Sequence, residues 1–165
     1  MRTRQPDRRK FLTQTLKRGS VAGAAALALP GAAAAKKRTE KKVITRPGES
    51  LSPSAIFSPA IQFGDLLFVS GAGAHNPKTH KVEPGPFPDQ ARQCLENIKA
   101  VLEAAGSSLD RVLKCTVFLT DISQYGPMNE VYHSFFTTNP PARSTVAVKD
   151  LPGDSPIEIE CFAYV

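Results

Sequence analysis

The chain has 165 residues, a length that suits one globular domain, and its 41% hydrophobic residues are enough to form a core. The formal net charge of +6 comes from the first 46 residues, because residues 47–165 carry 8 lysines and arginines against 13 acidic residues. A domain with a net charge of −5 lacks the basic face that nucleic acids require, so we expect no nucleic-acid partner.

The cysteines and histidines are too few and too scattered for a metal centre or a disulfide framework. Cys94, Cys115 and Cys161 are odd in number and show no CxxC spacing, so we interpret them as small buried side chains. No metal ligand set is expected. Three histidines are interpreted as surface or packing residues: His75, His80 and His133.

Residues 1–35 resemble a twin-arginine export signal. Arg8 and Arg9 precede a weakly apolar stretch, residues 21–29, and three small residues end at Ala35. We expect cleavage near Ala35 and a periplasmic or otherwise exported mature protein. The apolar stretch is shorter than the roughly 20 residues of a bilayer span, so no stable membrane span is expected. The alternative is a disordered basic tail.

Residues 36–46 hold six lysines and arginines, one acidic residue and no apolar periodicity. This composition predicts a basic flexible linker. The alternative role for it is electrostatic attraction to anionic membrane or cell-wall polymers. The folded domain is then expected over residues 47–165.

The first half of the domain predicts two strands and a helix. Residues 60–63 and 66–70 can pair across Gly64-Asp65. Apolar side chains then recur at helical spacing between Asp89, a candidate helix cap, and Gly106, which ends the helix.

The second half predicts a strand, a helix and two strands. Residues 112–120 alternate, with Leu113, Cys115, Val117 and Leu119 on one face. A helix around residues 128–136 is stopped by Asn139-Pro140-Pro141, and strands follow at 144–148 and 157–164. The order β-β-α-β-α-β-β predicts an α+β sandwich, one sheet with two helices on one face. The other face mixes Val112, Phe118, Phe162 and Tyr164 with polar side chains, which is typical of a subunit interface.

The last strand places two carboxylates on one side. Glu158 and Glu160 are two positions apart and therefore share a face, whereas the other face is apolar: Ile157, Ile159, Cys161, Ala163 and Val165. Arg143 lies immediately before the preceding predicted strand. From the residues alone, Arg143 is either part of a site for a small anion or a structural salt-bridge partner of one of the glutamates.

Several segments in a fixed order resemble the RidA/YjgF family of imine deaminases over residues 47–165. They are Gly64–Gly71, Asn76–Thr79, Gln90–Gln93, Asn97–Ala100, Lys114–Asp121, Asn129–Tyr132, Phe135-Phe136, Pro141–Ser144, Leu151-Pro152 and Ile157–Glu160. The resemblance implies a chorismate-mutase-like homotrimer with a ligand site at each subunit junction. It also implies hydrolysis of 2-imino or enamine acids, such as 2-aminoacrylate, to 2-keto acids and ammonia.

The resemblance also assigns roles to residues. It makes Arg143 the ligand of the substrate carboxylate and Glu158 the residue that orients the attacking water. The other implied substrate-binding residues are Ser70, Gly71, Cys115, Asn129 and Thr145. A planar guanidinium binds a carboxylate through two hydrogen bonds, and a second carboxylate can take a proton from water. Because the substrate is intrinsically unstable in water, no metal or cofactor is needed.

Three positions depart from the family pattern. Ala60 occupies the place expected for a ligand-contacting tyrosine, Ala72 the place of a glutamine, and Thr145 a place that is often cysteine. Tyr132 is interpreted as either packing or site-lining. A wider pocket that admits bulkier imines is one hypothesis.

Two rival functions remain open. A non-catalytic trimer could use the same cleft to bind a small carboxylate, and it would need Arg143 but not Glu158. Ribonuclease or translation inhibitor is a name attached to some relatives, but the acidic domain and the export signal argue against it.

Overall fold

The structure, a computed structural model, describes residues 40–165 and contains a six-stranded sheet with two helices, an α+β fold that confirms the predicted class. The export signal predicted at residues 1–35 lies outside the described residues. The strands are β1 (Lys42–Ile44), β2 (Ala60–Phe63), β3 (Leu66–Gly73), β4 (Val112–Leu119), β5 (Ala142–Ala147) and β6 (Ile157–Tyr164). The helices are α1 (Phe87–Ala104) and α2 (Tyr125–Phe135).

The strands lie in the order β1-β2-β3-β6-β4-β5, so the last strand of the chain is inserted beside β3 and β4 at the centre. All neighbours are antiparallel except β4 and β5, which are parallel and joined through α2. β5 is therefore an edge strand whose first residues lie close to α2. This position determines where Arg143 can point.

Strand β1 shows that residues 42–44, which lie within the segment 36–46 predicted as a flexible linker, are paired in the sheet. Residues 42–44 pair antiparallel with β2, and Ile44 is 5% exposed. Val43 and Ile44 form a short apolar pair within a lysine-rich segment, and this pair is long enough to add an edge strand. The sheet therefore has one strand more than the sequence predicted.

Helix α1 begins earlier than predicted and without the expected cap. Pro86 precedes its first turn, and no side chain caps it; Asp89 lies inside the first turn, where its backbone N–H donates to the Pro86 carbonyl oxygen. A proline near the first turn removes one N–H group that would otherwise need a partner. Gly106, with φ +78°, ends the helix as predicted.

A β-bulge corrects the predicted faces at the start of β4. The pairing with β6 shifts between Val112 and Lys114, so Val112 is buried and Leu113 is 49% exposed. An extra residue in one strand reverses the alternation for the residues before it. The buried residues Cys115, Val117 and Leu119 follow the predicted face.

The core lies between the helices and one face of the sheet. Helix α1 packs on β3, β6 and α2. The opposite face, called here the open face, carries exposed apolar side chains: Leu66, Phe68, Val146, Phe162 and Tyr164. Neither helix among residues 40–165 combines the length and the apolar character needed to cross a bilayer.

Candidate functional site

A cleft of about 600 Å³ opens between α2 and the edge strand β5, and we call it the arginine cleft. Its lining residues are Tyr125, Asn129, Tyr132, His133, Phe136, Pro140, Pro141, Arg143 and Thr145. Helix α2 contributes the first four, whose spacing of three or four residues from Asn129 places them on one helix face, and Phe136 follows its last residue. Arg143 and Thr145 are two apart on β5 and therefore point the same way.

Arg143 is held by α2 and not by an acid. Its Nη2 donates to Asn129 Oδ1 at 2.6 Å and to the Tyr125 hydroxyl at 3.4 Å. The guanidinium carbon lies 4.5 Å from the centre of the Tyr132 ring, a cation–π contact. Among residues 40–165, Arg143 makes no ion pair, so the alternative of a salt bridge to Glu158 or Glu160 is wrong within one protomer.

Two residues that line this cleft have buried hydroxyl groups. The Tyr132 hydroxyl and Thr145 Oγ1 have no hydrogen-bond partner among the described residues, yet both residues line the cleft. Burial raises the pKa of Tyr132, so its phenol stays neutral. Both hydroxyl oxygens are buried in the wall of the cleft, and the Tyr132 hydroxyl lies close to the buried Cys115 thiol.

Cys115 does not line the cleft, contrary to the substrate-binding role predicted for it. The residue is fully buried on the face of the sheet that the helices cover. It is the strand partner of Arg143 in the β4–β5 pairing. Burial raises the pKa of Cys115, which keeps the thiol neutral. We therefore assign Cys115 to the packing under Arg143.

Glu158 lies in a second cleft of about 390 Å³, called here the glutamate cleft. Its lining residues are Arg46, Phe57, Ser70, Gly71, Ala72, Gly73, His75, Pro152 and Glu158. Ser70 is fixed by hydrogen bonds from its Oγ to the Ser58 carbonyl oxygen, 2.8 Å, and from its N–H to the Pro59 carbonyl oxygen. Gly71 leaves space for the Glu158 side chain, because a Cβ there would lie 2.7 Å from Glu158 Cδ and would force the carboxylate to move.

The environment of Glu158 makes its carboxylate a stronger base than an exposed glutamate. Burial raises the pKa of Glu158, the neighbouring charge of Glu160 raises it further, and His75 partly offsets both. A carboxylate with a raised pKa takes a proton from water more readily than an ordinary one.

The sequence suggested that Ala60 leaves the site without an aromatic ring, but the structure places a different aromatic residue there. Ala60 is fully buried in β2, so it lines neither cleft. Phe57, three residues earlier, lines the glutamate cleft. The hypothesis of a pocket widened by loss of an aromatic side chain is therefore not supported by this geometry.

The two clefts lie on opposite faces of the sheet. Arg143, Cys115 and Cys161 are paired across three strands and share the helix face, whereas Glu158 alternates with the buried residues of β6. No residue lines both clefts. Of the predicted site residues, the structure groups Asn129, Arg143 and Thr145 in one cleft and Ser70, Gly71 and Glu158 in the other.

Several cleft residues were missed at the level of sequence. Tyr125 and Phe136 are four before and seven after Asn129, a helical spacing that would have identified them. His75 and His133 line the clefts although surface or packing positions were predicted. The positions of Phe57 and His75 depend on loop conformation, for which the sequence carries no periodic signal.

A family model described as Endoribonuclease L-PSP matches residues 47–165. Among curated proteins, a RutC family protein of Pyrococcus horikoshii is 49% identical over 112 residues, 68% of this chain and 89% of the relative. A 2-iminobutanoate/2-iminopropanoate deaminase of Dermatophagoides farinae is 35% identical over 127 residues, 76% of this chain and 97% of the relative.

Solved structures agree with the sequence matches. The YjgF gene product of E. coli superposes with a TM-score of 0.68 at 37% identity, and the match covers 74% of this chain and 98% of that chain. E. coli TdcF with bound serine gives a TM-score of 0.67 at 37% identity and covers 75% of this chain and 98% of that chain. The motifs, the fold and these matches together establish that the chain belongs to the RidA/YjgF family, whose family model carries the name Endoribonuclease L-PSP.

Proposed function

We propose that the protein hydrolyses 2-imino acids, and the enamines in equilibrium with them, to 2-keto acids and ammonia. It would act as a 2-iminobutanoate/2-iminopropanoate deaminase-like hydrolase. The observation that carries the proposal is Arg143, a guanidinium held in a cleft without a carboxylate partner among residues 40–165. A substrate carboxylate would supply that partner through a two-point contact.

The complete site is proposed to form between subunits of a homotrimer. One protomer presents Arg143 and Glu158 on opposite sheet faces, so a single substrate cannot contact both of them there. The open face supports association, because its aromatic side chains are about half exposed, with Phe68 and Phe162 rings 5.4 Å apart. In the assembly, the arginine cleft of one subunit would face the glutamate cleft of the next.

The chemistry follows from the two clefts. Arg143 binds the carboxylate, and Glu158 takes a proton from water as the water oxygen bonds to the imine carbon. The electron pair of the C=N bond moves to nitrogen, which receives that proton from Glu158. Transfer of the hydroxyl proton to the amine then lets ammonia leave as the C=O bond forms. No net proton is gained or lost.

Two relatives support this assignment without deciding it. The mite protein carries the name of an imine deaminase, and TdcF was crystallised with serine, an amino acid that shares the carboxylate of a 2-imino acid. The residues that would bind such a carboxylate here are those around Arg143.

The cellular location is proposed from the leader residues alone. Export by the twin-arginine route, with cleavage near Ala35, would place the enzyme in the periplasm or otherwise outside the cytoplasm. An imine source is then needed in the same compartment, such as an exported amino-acid oxidase. N-terminal sequencing of the exported protein tests this: a start near Lys36 is expected, and an intact Met1 would contradict cleavage.

A second candidate is a non-catalytic trimer that binds a small carboxylate. A guanidinium without a carboxylate partner among residues 40–165 favours it as much as it favours catalysis. Glu158 separates the two, because Glu158→Gln should abolish hydrolysis but leave carboxylate binding intact. RNA cleavage, suggested by the family model's name, finds no support in the acidic domain.

The test is release of ammonia and keto acid by the mature chain, residues 36–165, from imines generated in situ by an amino-acid oxidase. We expect acceleration over the spontaneous rate, and its loss in both Arg143→Ala and Glu158→Gln. A folded, oligomeric wild-type protein that accelerates hydrolysis of no imine would overturn the proposal in favour of the binding trimer.

A further inference from the structure

We propose that His75 is a positioning residue for this reaction: a positive charge on its imidazole, in the cleft that also holds Glu158, favours the carboxylate form of Glu158 that accepts a proton from water. The inference rests on the proposed function and adds a residue to it. The geometry of the glutamate cleft carries it, since both side chains line that cleft.

One end of the His75 ring is fixed by the loop before β6. Nε2 lies 3.0 Å from the Gly153 carbonyl oxygen. A carbonyl oxygen only accepts hydrogen bonds, so Nε2 carries the hydrogen of this contact and Nδ1 is the ring nitrogen on the other side. Gly153 has φ +66°, and a Cβ there would overlap Nε2, so the backbone at this position makes room for the imidazole.

The other end of the ring lies over the strand pair that carries Glu158. A Cβ on Gly73 would be 2.9 Å from His75 Nδ1, so the ring covers the space that a side chain would otherwise fill. Gly73 is paired with Glu158 across β3 and β6. Directly opposed residues in such a pair have Cβ positions about 4.5–5.5 Å apart, so the His75 ring and the base of the Glu158 side chain are neighbours in this cleft, while the carboxylate itself extends over Gly71.

The other charged groups around this pair do not replace His75. Arg46 lines the cleft, but its Nη1 is 3.7 Å from Glu49 Oε2 and is shared with that carboxylate. Glu160 repels the charge of Glu158, and burial also opposes it, whereas the imidazolium favours it. The titratable and charged residues that line the cavities around His75 are Arg46, Glu49, His80 and Glu158, with Glu160 acting on Glu158 from β6.

The variant His75→Gln separates the effect of the positive charge from the effect of the hydrogen bond to Gly153. Its amide N–H can still donate to the Gly153 carbonyl oxygen, but it carries no positive charge. His80→Asn is the matched control: it removes a neighbouring imidazole at a residue with φ +59°, a backbone conformation that asparagine tolerates well. Glu160→Gln serves as the converse variant, since it removes a negative neighbour of Glu158.

The experiment is the pH profile of kcat/KM for the mature protein, expressed at each pH as the ratio to wild type so that the pH dependence of the imine cancels. For His75→Gln we expect the acidic limb to move up by about 0.5–1 pH unit, a loss of roughly three- to tenfold near pH 5, and no change above about pH 8. Glu160→Gln should move the limb down, and His80→Asn should leave it in place. A structural role for His75 would instead lower kcat/KM equally at all pH values.

A second readout does not depend on activity. Carboxyl NMR titration should give a higher pKa for Glu158 in His75→Gln than in wild type. An unmoved acidic limb in an active His75→Gln variant, or an unmoved Glu158 pKa, would overturn the inference. Wild-type protein without deaminase activity would sink the proposed function instead, and the NMR result would then still decide whether His75 controls the charge of Glu158.

Discussion

At the scale of single residues, the hydrogen bond from Arg143 to Asn129 determines how the guanidinium faces the cleft. The 2.6 Å contact holds one edge of the group, and the Tyr132 ring supports its plane. A neutral amide can orient an arginine without neutralising its charge, which leaves the charge for a ligand.

Asn129→Ala tests this orientation. We expect KM for 2-imino acids to rise by about tenfold with a smaller fall in kcat, because the loosened guanidinium loses two-point binding. Steady-state kinetics with in situ imine generation measures both. The control is Gln124→Ala, since Gln124 immediately precedes α2 and its side chain does not cap the helix. Asn97→Ala is unsuitable, because the Asn97 amide donates to two backbone carbonyl oxygens. An unchanged KM would contradict the role of Asn129.

Glu158→Gln should remove activity without lowering stability. The pKa of Glu158 is raised in the folded protein, so the folded state binds its proton more tightly than the unfolded chain does, and stability falls as pH rises through that pKa. The neutral amide removes this penalty at pH 7 and has nothing to remove near pH 4. Thermal unfolding at both pH values checks this, and a lower Tm at pH 7 only would contradict the pKa shift.

The sequence could single out Arg143 and Glu158 as candidate site residues, since each belongs to a short motif with fixed spacing. It could not place Phe57 or His75 in the glutamate cleft. Their positions depend on loop conformations, including the positive φ of Gly153, that no periodic pattern encodes.

At the scale of elements, strand β1 extends the sheet beyond the family match at residue 47. Ile44 is buried against the core, whereas Val43 is 37% exposed. Ile44→Ala should cost about 2 kcal/mol of unfolding free energy, and Val43→Ala less than about 0.5 kcal/mol. Urea unfolding compares the two, and equal effects would mean that β1 contributes no buried packing.

Strict alternation predicted β6 to the residue, because its buried and exposed positions never change phase. The same rule failed at the start of β4, where the bulge between Val112 and Lys114 reverses the faces. Strand β1 was not predicted because it has only three residues within a charged segment. Two apolar residues are too few to show the alternation that identifies a strand.

At the scale of the whole molecule, the open face is the surface that remains to be covered. Phe162 is 47% exposed and forms an edge-to-face pair with Phe68. The two sheet faces could be told apart from the sequence, but the number of subunits that cover the open face follows only from family resemblance.

Phe162→Glu should dissociate the proposed trimer, because burying an unpaired carboxylate in an apolar interface has a large free-energy cost of desolvation. Ile122→Glu is the matched control, since Ile122 is 57% exposed but lies before α2, away from the sheet. Sedimentation analysis should show monomers for Phe162→Glu only, with loss of activity. An unchanged oligomer would show that the open face is not the interface.

The most direct test of the composite site is to mix two inactive variants, Arg143→Ala and Glu158→Gln, and let their subunits exchange. If each site takes its arginine from one subunit and its glutamate from the next, about a quarter of the sites in an equal mixture contain both native residues. We predict that deaminase activity returns to roughly that fraction of wild type. Activity that stays at the level of the separate variants, with exchange verified by mass spectrometry, would contradict a site shared between subunits.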